Sequence, residues 1–167
     1  MSIILIGMPG SGKSTVGVIL AKSLGIDFLD TDLLIQRREK RLLQDIIDKD
    51  GIDFFLDRER DAIFSVNENN AVIATGGSVI LREDAMTHLK GLGTVIFLDV
   101  SVNELEKRLS NIKTRGVAAE KGESVKDIYD KRFSLYKKFA DITVNADLLS
   151  CEQTVNIICE YFNKNKN

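Results

Sequence analysis

The chain of 167 residues has few of the residues from which metal centres and thiol chemistry are built: two cysteines and one histidine. Cys151 and Cys159 lie eight positions apart on a helix-like segment. That is roughly 12 Å along the axis, too far for one disulfide, and both read as core residues. There is no CxxC pair and no His-rich cluster, which argues against a zinc site. The single histidine, His88, sits among Asp84, Met86, Thr87 and Leu89 in an expected surface helix, with no relay partner nearby in sequence. Charge of one sign is also missing. With 23 Lys and Arg against 25 Asp and Glu there is no basic field of the kind that binds nucleic acid. No apolar run approaches the ~18 residues of a membrane-spanning helix. The apolar start, Met1 to Gly7, is too short for a signal-peptide core and has no basic leader. A cytoplasmic protein with small-molecule partners is therefore expected, with no nucleic acid and no membrane. A monomer is the working expectation, although nothing in the sequence sets the oligomeric state.

A hydrophobic content of 44% over this length suits one domain with a sizeable core, spanning residues 1–167. Five short β-branched runs alternate with helical patterns: Ile3 to Ile6, Phe28 to Leu29, Val72 to Ala74, Thr94 to Leu98 and Ile142 to Val144. Strands separated by helices predict an α/β fold, a five-stranded parallel sheet flanked by helices on both faces. The helical stripes Val16, Ile19, Leu20 and Cys151, Val155, Ile158, Cys159, Phe162 read as core. One stretch, Asn111 to Glu123, lacks periodicity, carries three Lys or Arg residues and two glycines, and is expected to be a mobile loop.

The strongest signal follows the first strand directly. Gly7-Met8-Pro9-Gly10-Ser11-Gly12-Lys13-Ser14-Thr15 satisfies the GxxxxGK[ST] pattern without a mismatch. The glycines let the backbone curl so that successive N–H groups meet phosphate oxygens, and the helix beginning near Lys13 adds the positive end of its dipole. Gly10, Ser11, Gly12, Lys13, Ser14 and Thr15 are thus expected to hold ATP. Lys13 should reach the terminal phosphates, and the Ser14 hydroxyl should ligate Mg2+. A dinucleotide-binding turn fits worse, because the glycines fall at 7, 10 and 12, not in GxGxxG spacing. A GTPase is disfavoured because no [NT]KxD motif occurs, and the DxxG at Asp48 to Gly51 has no predicted strand before it.

Two further clusters stand where strands end, the edge at which open parallel sheets collect their chemistry. Asp30-Thr31-Asp32 closes the second strand and should place two carboxylates in the crevice of the phosphate loop. Asp30 or Thr31 could equally cap a helix starting near Leu33, and the two roles are compatible. Ala74-Thr75-Gly76-Gly77-Ser78 closes the third. Adjacent glycines let a substrate approach the backbone, although a plain turn would look the same.

In this order the motifs resemble the shikimate kinases, small members of the nucleoside-monophosphate-kinase-like P-loop group, over nearly the whole chain. The loop matches that family's Walker A, Asp30-Thr31-Asp32 its DxD motif, Gly76-Gly77 its glycine triplet, Arg115 its lid arginine and Arg132 to Tyr136 its R-x-x-x-Y segment. The resemblance implies a sheet order of 2-3-1-4-5 and a lid at about 111–123. It also implies that Asp30 holds magnesium through water, Asp32 contacts the accepting hydroxyl and Arg115 closes over the transferred phosphoryl group. Arg132 would pair with the substrate carboxylate, and Arg108 would lie against adenine. Lys13, Asp32 and Arg115 would be the catalytic set, with Gly76, Gly77 and Arg132 beside the acceptor.

The departures cluster on the acceptor side. Where the family has Phe-Arg-x-x-Glu, this chain reads Phe55-Leu56-Asp57-Arg58-Glu59, so an acid-gripping arginine is a leucine. The third glycine is Ser78, the lid Arg-Pro-Leu is Arg115-Gly116-Val117, and the late helix has Ser134 and Lys138 in place of Pro and Glu. Arg60, four residues on and only ~40° off the face of Leu56, could supply the missing clamp, or it and Arg58 could be solvated charges paired with Asp57 and Asp61. The function implied is ATP-dependent phosphorylation of shikimate at its 3-hydroxyl, in aromatic amino acid biosynthesis. The alternatives are a related kinase of another small hydroxylated acceptor and a non-catalytic nucleotide-binding module.

Overall fold

A computed structural model describes residues 1–110, 117–119 and 122–164. Its centre is β1 (Ser2–Ile6), every residue of which is buried. On either side β1 pairs in parallel with β3 (Ala71–Ala74) and β4 (Gly93–Asp99). The edges are β2 (Asp27–Asp30) against β3 and β5 (Ile142–Asn145) against β4. Among the described residues the sheet is five-stranded and all parallel, in the order β2-β3-β1-β4-β5, as the resemblance implies.

Successive side chains of a strand point to opposite faces, so a strand covered on both sides needs an unbroken apolar run. Ile4, Ile6, Ala71, Ile73, Val95 and Phe97 enter one core cluster, while Ile3, Leu5, Val72, Ile96 and Leu98 enter the other. The second face is covered by α1 (Lys13–Leu24) and α8 (Cys151–Lys164), through Val16, Leu20, Val155 and Ile158. Gly17 lets α1 settle onto β2, since a methyl there would meet the Phe28 ring at 2.6 Å. The first face is covered by α5 (Glu83–Leu92), α6 (Val102–Ser110) and α7 (Val125–Phe139). There the Tyr136 ring stacks on Phe97 with centroids 4.9 Å apart.

Between β2 and β3 run α2 (Thr31–Glu39), α3 (Leu43–Asp50) and α4 (Ile52–Phe64). They close a third apolar cluster of Ile35, Leu43, Ile46, Phe55, Leu56, Ala62 and Ala118. Two local expectations need correction. Helix α2 starts at Thr31, not near Leu33, because the Asp30 carboxylate accepts from the N–H groups of Asp32 (3.0 Å) and Leu33 (3.3 Å) and so nucleates it earlier. Cys151 and Cys159 are both half-buried and pack against the edge of the second core, and Cys151, which opens α8, also lines a surface pocket. Both thiols are unbridged. His88 sits on α5, where its Nε2 lies 2.8 Å from the Val66 carbonyl oxygen.

Candidate active site

The phosphate loop occupies the turn from β1 to α1. Gly10 (φ 84°) and Gly12 (φ 94°) adopt the left-handed backbone that side chains disfavour, so the pattern's glycines are required by conformation. The first turn of α1 carries no acidic residue, and no side chain caps it. Its orphan N–H groups and dipole therefore face an anion without competition. Lys13 is buried and curled over the loop, its Nζ donating to the carbonyls of Gly7 (2.8 Å) and Met8 (2.9 Å).

Among the described residues two pockets border the Gly10 to Thr15 stretch of this loop. One, of about 330 Å3, is lined by Lys13 and Ser14 from α1, Asp30 and Asp32 from the end of β2, Thr75 and Gly77 from the end of β3, and Pro9, Leu33, Gln36 and Leu43. The expected pair of strand-end carboxylates thus does meet the phosphate loop. The other, of about 420 Å3, lies on the far side of the loop, between Gly10, Ser11, Gly12 and Thr15 and the α8 end of the sheet. Arg108 of α6 lines it, held by a 2.8 Å bond from its Nε to Glu104. A site with two compartments, one against Lys13 and Ser14 and the other against Gly10 to Gly12 and Thr15, can hold a phosphorylated donor and a separate acceptor.

The glycine pair after β3 is fixed by packing. A methyl on Gly77 would meet Pro9 Cδ at 2.6 Å, and one on Gly76 would collide with Glu59 Oε1 and meet Asp32 Oδ1 at 2.9 Å. The Gly76 N–H donates to the Thr31 hydroxyl (3.2 Å), tying the β3 turn to the start of α2. The Gly77 carbonyl accepts from Tyr136 Oη (2.5 Å) and Arg132 (3.1 Å). Arg132 is buried and also donates to the Ala118 carbonyl, so its guanidinium reaches the turn beside the first pocket without lining it.

Glu59, named in the sequence only as the last residue of the match to Phe-Arg-x-x-Glu and given no role, belongs to the site. It is 1% exposed, and among the described residues no hydrogen bond of good geometry reaches either carboxylate oxygen. Burial first and the nearby Asp32 second push its pKa to about 8, against the pull of the Ser78 hydroxyl, Arg132 and Lys13. The signal was its register: Phe55, Leu56 and Glu59 share one face of α4, and that face is buried. Gln36 was also missed, although it stands one helical turn beyond Asp32.

Arg60 does not supply a clamp. Its Nε is 2.6 Å from Asp84 on α5 and its guanidinium lies over the Phe64 ring, while Arg58 pairs with Asp61. Leu56 is buried against the apolar cluster that contains Ala118. Of the expected lid, residues 117–119, 122 and 123 are described; Arg115 lies outside the described residues.

A phosphate loop on the central strand of a 2-3-1-4-5 parallel sheet, with carboxylates on the neighbouring strand end and two compartments beside it, defines a P-loop phosphotransferase. Comparison with known proteins narrows the class. The family model for shikimate kinase matches residues 9–163. A shikimate kinase from Sulfurihydrogenibium sp. is 37% identical over 158 residues, 94% of this chain and 95% of its own. The structure of shikimate kinase from Acinetobacter baumannii in complex with shikimate superposes with a TM-score of 0.91 at 30% identity, covering 99% of this chain and 94% of that one. The structure from Aquifex aeolicus gives 0.85 at 33% identity, covering 99% and 98%. The chain belongs to the shikimate kinase family.

Proposed function

We propose that the protein transfers the terminal phosphoryl group of ATP to the 3-hydroxyl of shikimate. The observation that carries this reading is the convergence of Lys13, Ser14, Asp30 and Asp32 on one pocket, in a chain of this family. The Gly10 to Thr15 backbone would hold the donor phosphates, with Arg108 against the adenine side. Lys13 exchanges its carbonyl partners for phosphate oxygens and stabilises the charge that spreads over them. Ser14 and Asp30, two oxygen donors on the same pocket wall, suit a hard cation and would hold Mg2+ between them, Asp30 through water. When bound, the ion neutralises phosphate charge.

On the acceptor side Asp32 orients the hydroxyl and takes its proton as the O–P bond forms. Gly76 and Gly77 shape the wall, Arg132 pairs with the acceptor carboxylate, and Arg115, from the lid, closes over the transferring group. Residues 1–167 would act as one domain and one copy, with no nucleic acid or membrane in the reaction. Among the described residues no helix is long and apolar enough to cross a membrane. ADP release measured over a panel of small hydroxylated acceptors tests the reading. Shikimate should be the preferred acceptor, and turnover of another acceptor with none of shikimate would refute it.

A further inference from the structure

The acceptor pocket rests on a buried carboxyl that the transfer chemistry does not use. Three residues before Glu59 on the same face of α4 stands Leu56, also buried, packed with Leu43, Ile46 and Ala118. Side chains three apart on a helix are neighbours, so hydrocarbon fills the place from which a cation on α4 could neutralise Glu59. Arg132 directs NH1 and NH2 at the Gly77 and Ala118 carbonyls. Across the Cα of Gly76 Glu59 faces Asp32. A buried carboxylate that no hydrogen bond of good geometry reaches, set against a second carboxylate, is expensive to keep ionised, and taking up a proton removes most of that cost.

We propose that Glu59 is a positioning residue of the acceptor pocket that carries a proton at neutral pH and presents a neutral carboxylic acid to Asp32. The groups around it are Asp32 from α2, Lys13 from α1, Arg132 and Tyr136 from α7, and the Ser78 hydroxyl. Burial and Asp32 outweigh the two cations, so the proton leaves only at about pH 8. Below that pH Glu59 adds no charge of its own to the carboxylates of the pocket that an incoming anionic acceptor meets. Above it a second negative charge repels a carboxylated acceptor. This consequence rests on the shikimate reading; the proton itself does not.

The test begins without substrate, on protein carrying 13C at the glutamate side-chain carboxyl. The Glu59 resonance, identified by its absence in Glu59→Gln, should titrate between about pH 7 and 9. A midpoint in the ordinary glutamate range overturns the proposal. Leu56→Arg, which sets a guanidinium beside Glu59, should lower the midpoint by at least about one pH unit, and that shift identifies the resonance should Glu59→Gln fail to fold. An unmoved midpoint overturns the explanation through Leu56. In kinetics, KM for shikimate should rise on the order of tenfold as Glu59 ionises, with kcat little changed, and Glu59→Gln should flatten the rise. Parallel profiles in the two proteins overturn the positioning role. A protein inactive on shikimate whose carboxyl still titrates near pH 8 would refute the substrate reading and leave the proton in place.

Discussion

The guanidinium of Arg132 donates to the carbonyl of Gly77 at 3.1 Å, and Tyr136, one turn further along α7, donates to the same oxygen at 2.5 Å. The glycine turn after β3 is therefore held from the opposite side of the first core by a helix distant in sequence. A guanidinium has five N–H donors, so Arg132 can fix the turn and the Ala118 carbonyl and still offer a donor to an acceptor carboxylate.

From this follows a graded effect on stability. Tyr136→Phe removes one hydrogen bond, costs about 1 kcal/mol and should lower Tm by about 2–4 °C. Arg132→Lys cannot span two carbonyls with a point charge, so it should lower Tm further and raise KM for shikimate about tenfold or more. Calorimetry and steady-state kinetics check both. Equal Tm values for the two variants and wild type would contradict the role of the turn.

Lys13 and Asp32 should separate cleanly. Lys13 is folded onto the phosphate loop and Asp32 is proposed to meet the acceptor, so Lys13→Met should weaken ATP binding and abolish turnover, while Asp32→Asn keeps ATP affinity within about threefold and loses turnover. Titration calorimetry with ATP decides; weak ATP binding in Asp32→Asn beside normal binding in Lys13→Met reverses the assignment.

A methyl group on Gly76 has nowhere to go between Glu59 and Asp32. Gly76→Ala should cost about 1–3 kcal/mol as overpacking and displace the two carboxylates. Turnover of shikimate should fall by more than ATP binding does, and retention of both would show that the wall yields.

The sheet was legible because each buried strand is an apolar run serving two cores, as the alternation of Ile3, Ile4, Leu5 and Ile6 between clusters shows. The phosphate loop was legible because its chemistry is local, nine consecutive residues that must curl together. Glu59 was not, because its state depends on Leu56 beside it, Asp32 on another helix and Gly76 on a loop, contacts that spacing along one helix cannot reveal. The fate of Arg60 was hidden for the same reason. Helical geometry left it a possible clamp, and only the position of Asp84 on α5 decided otherwise.

Glu59 also gives stability a pH dependence of definite sign. Its folded pKa, about 8, lies above the ordinary value of 4.5, so the folded state binds the extra proton between these two. Its contribution is fully present below about pH 4.5 and is lost as pH rises through about 8. Glu59→Gln, which cannot ionise, should therefore be close to wild type in Tm near pH 4 and the more stable of the two by a margin that grows as pH rises to about 8. A wild type that gains stability over Glu59→Gln as pH rises would contradict the sign.

The most direct test follows the phosphorus atom itself. Wild type and Asp32→Asn are incubated with ATP, Mg2+ and shikimate, and 31P NMR monitors the products. The account predicts that wild type converts the γ-phosphate into a phosphate monoester of the shikimate 3-hydroxyl, one per ADP formed, and that Asp32→Asn forms little or none. ADP appearing with inorganic phosphate and no ester, or equal ester formation by both proteins, would contradict it.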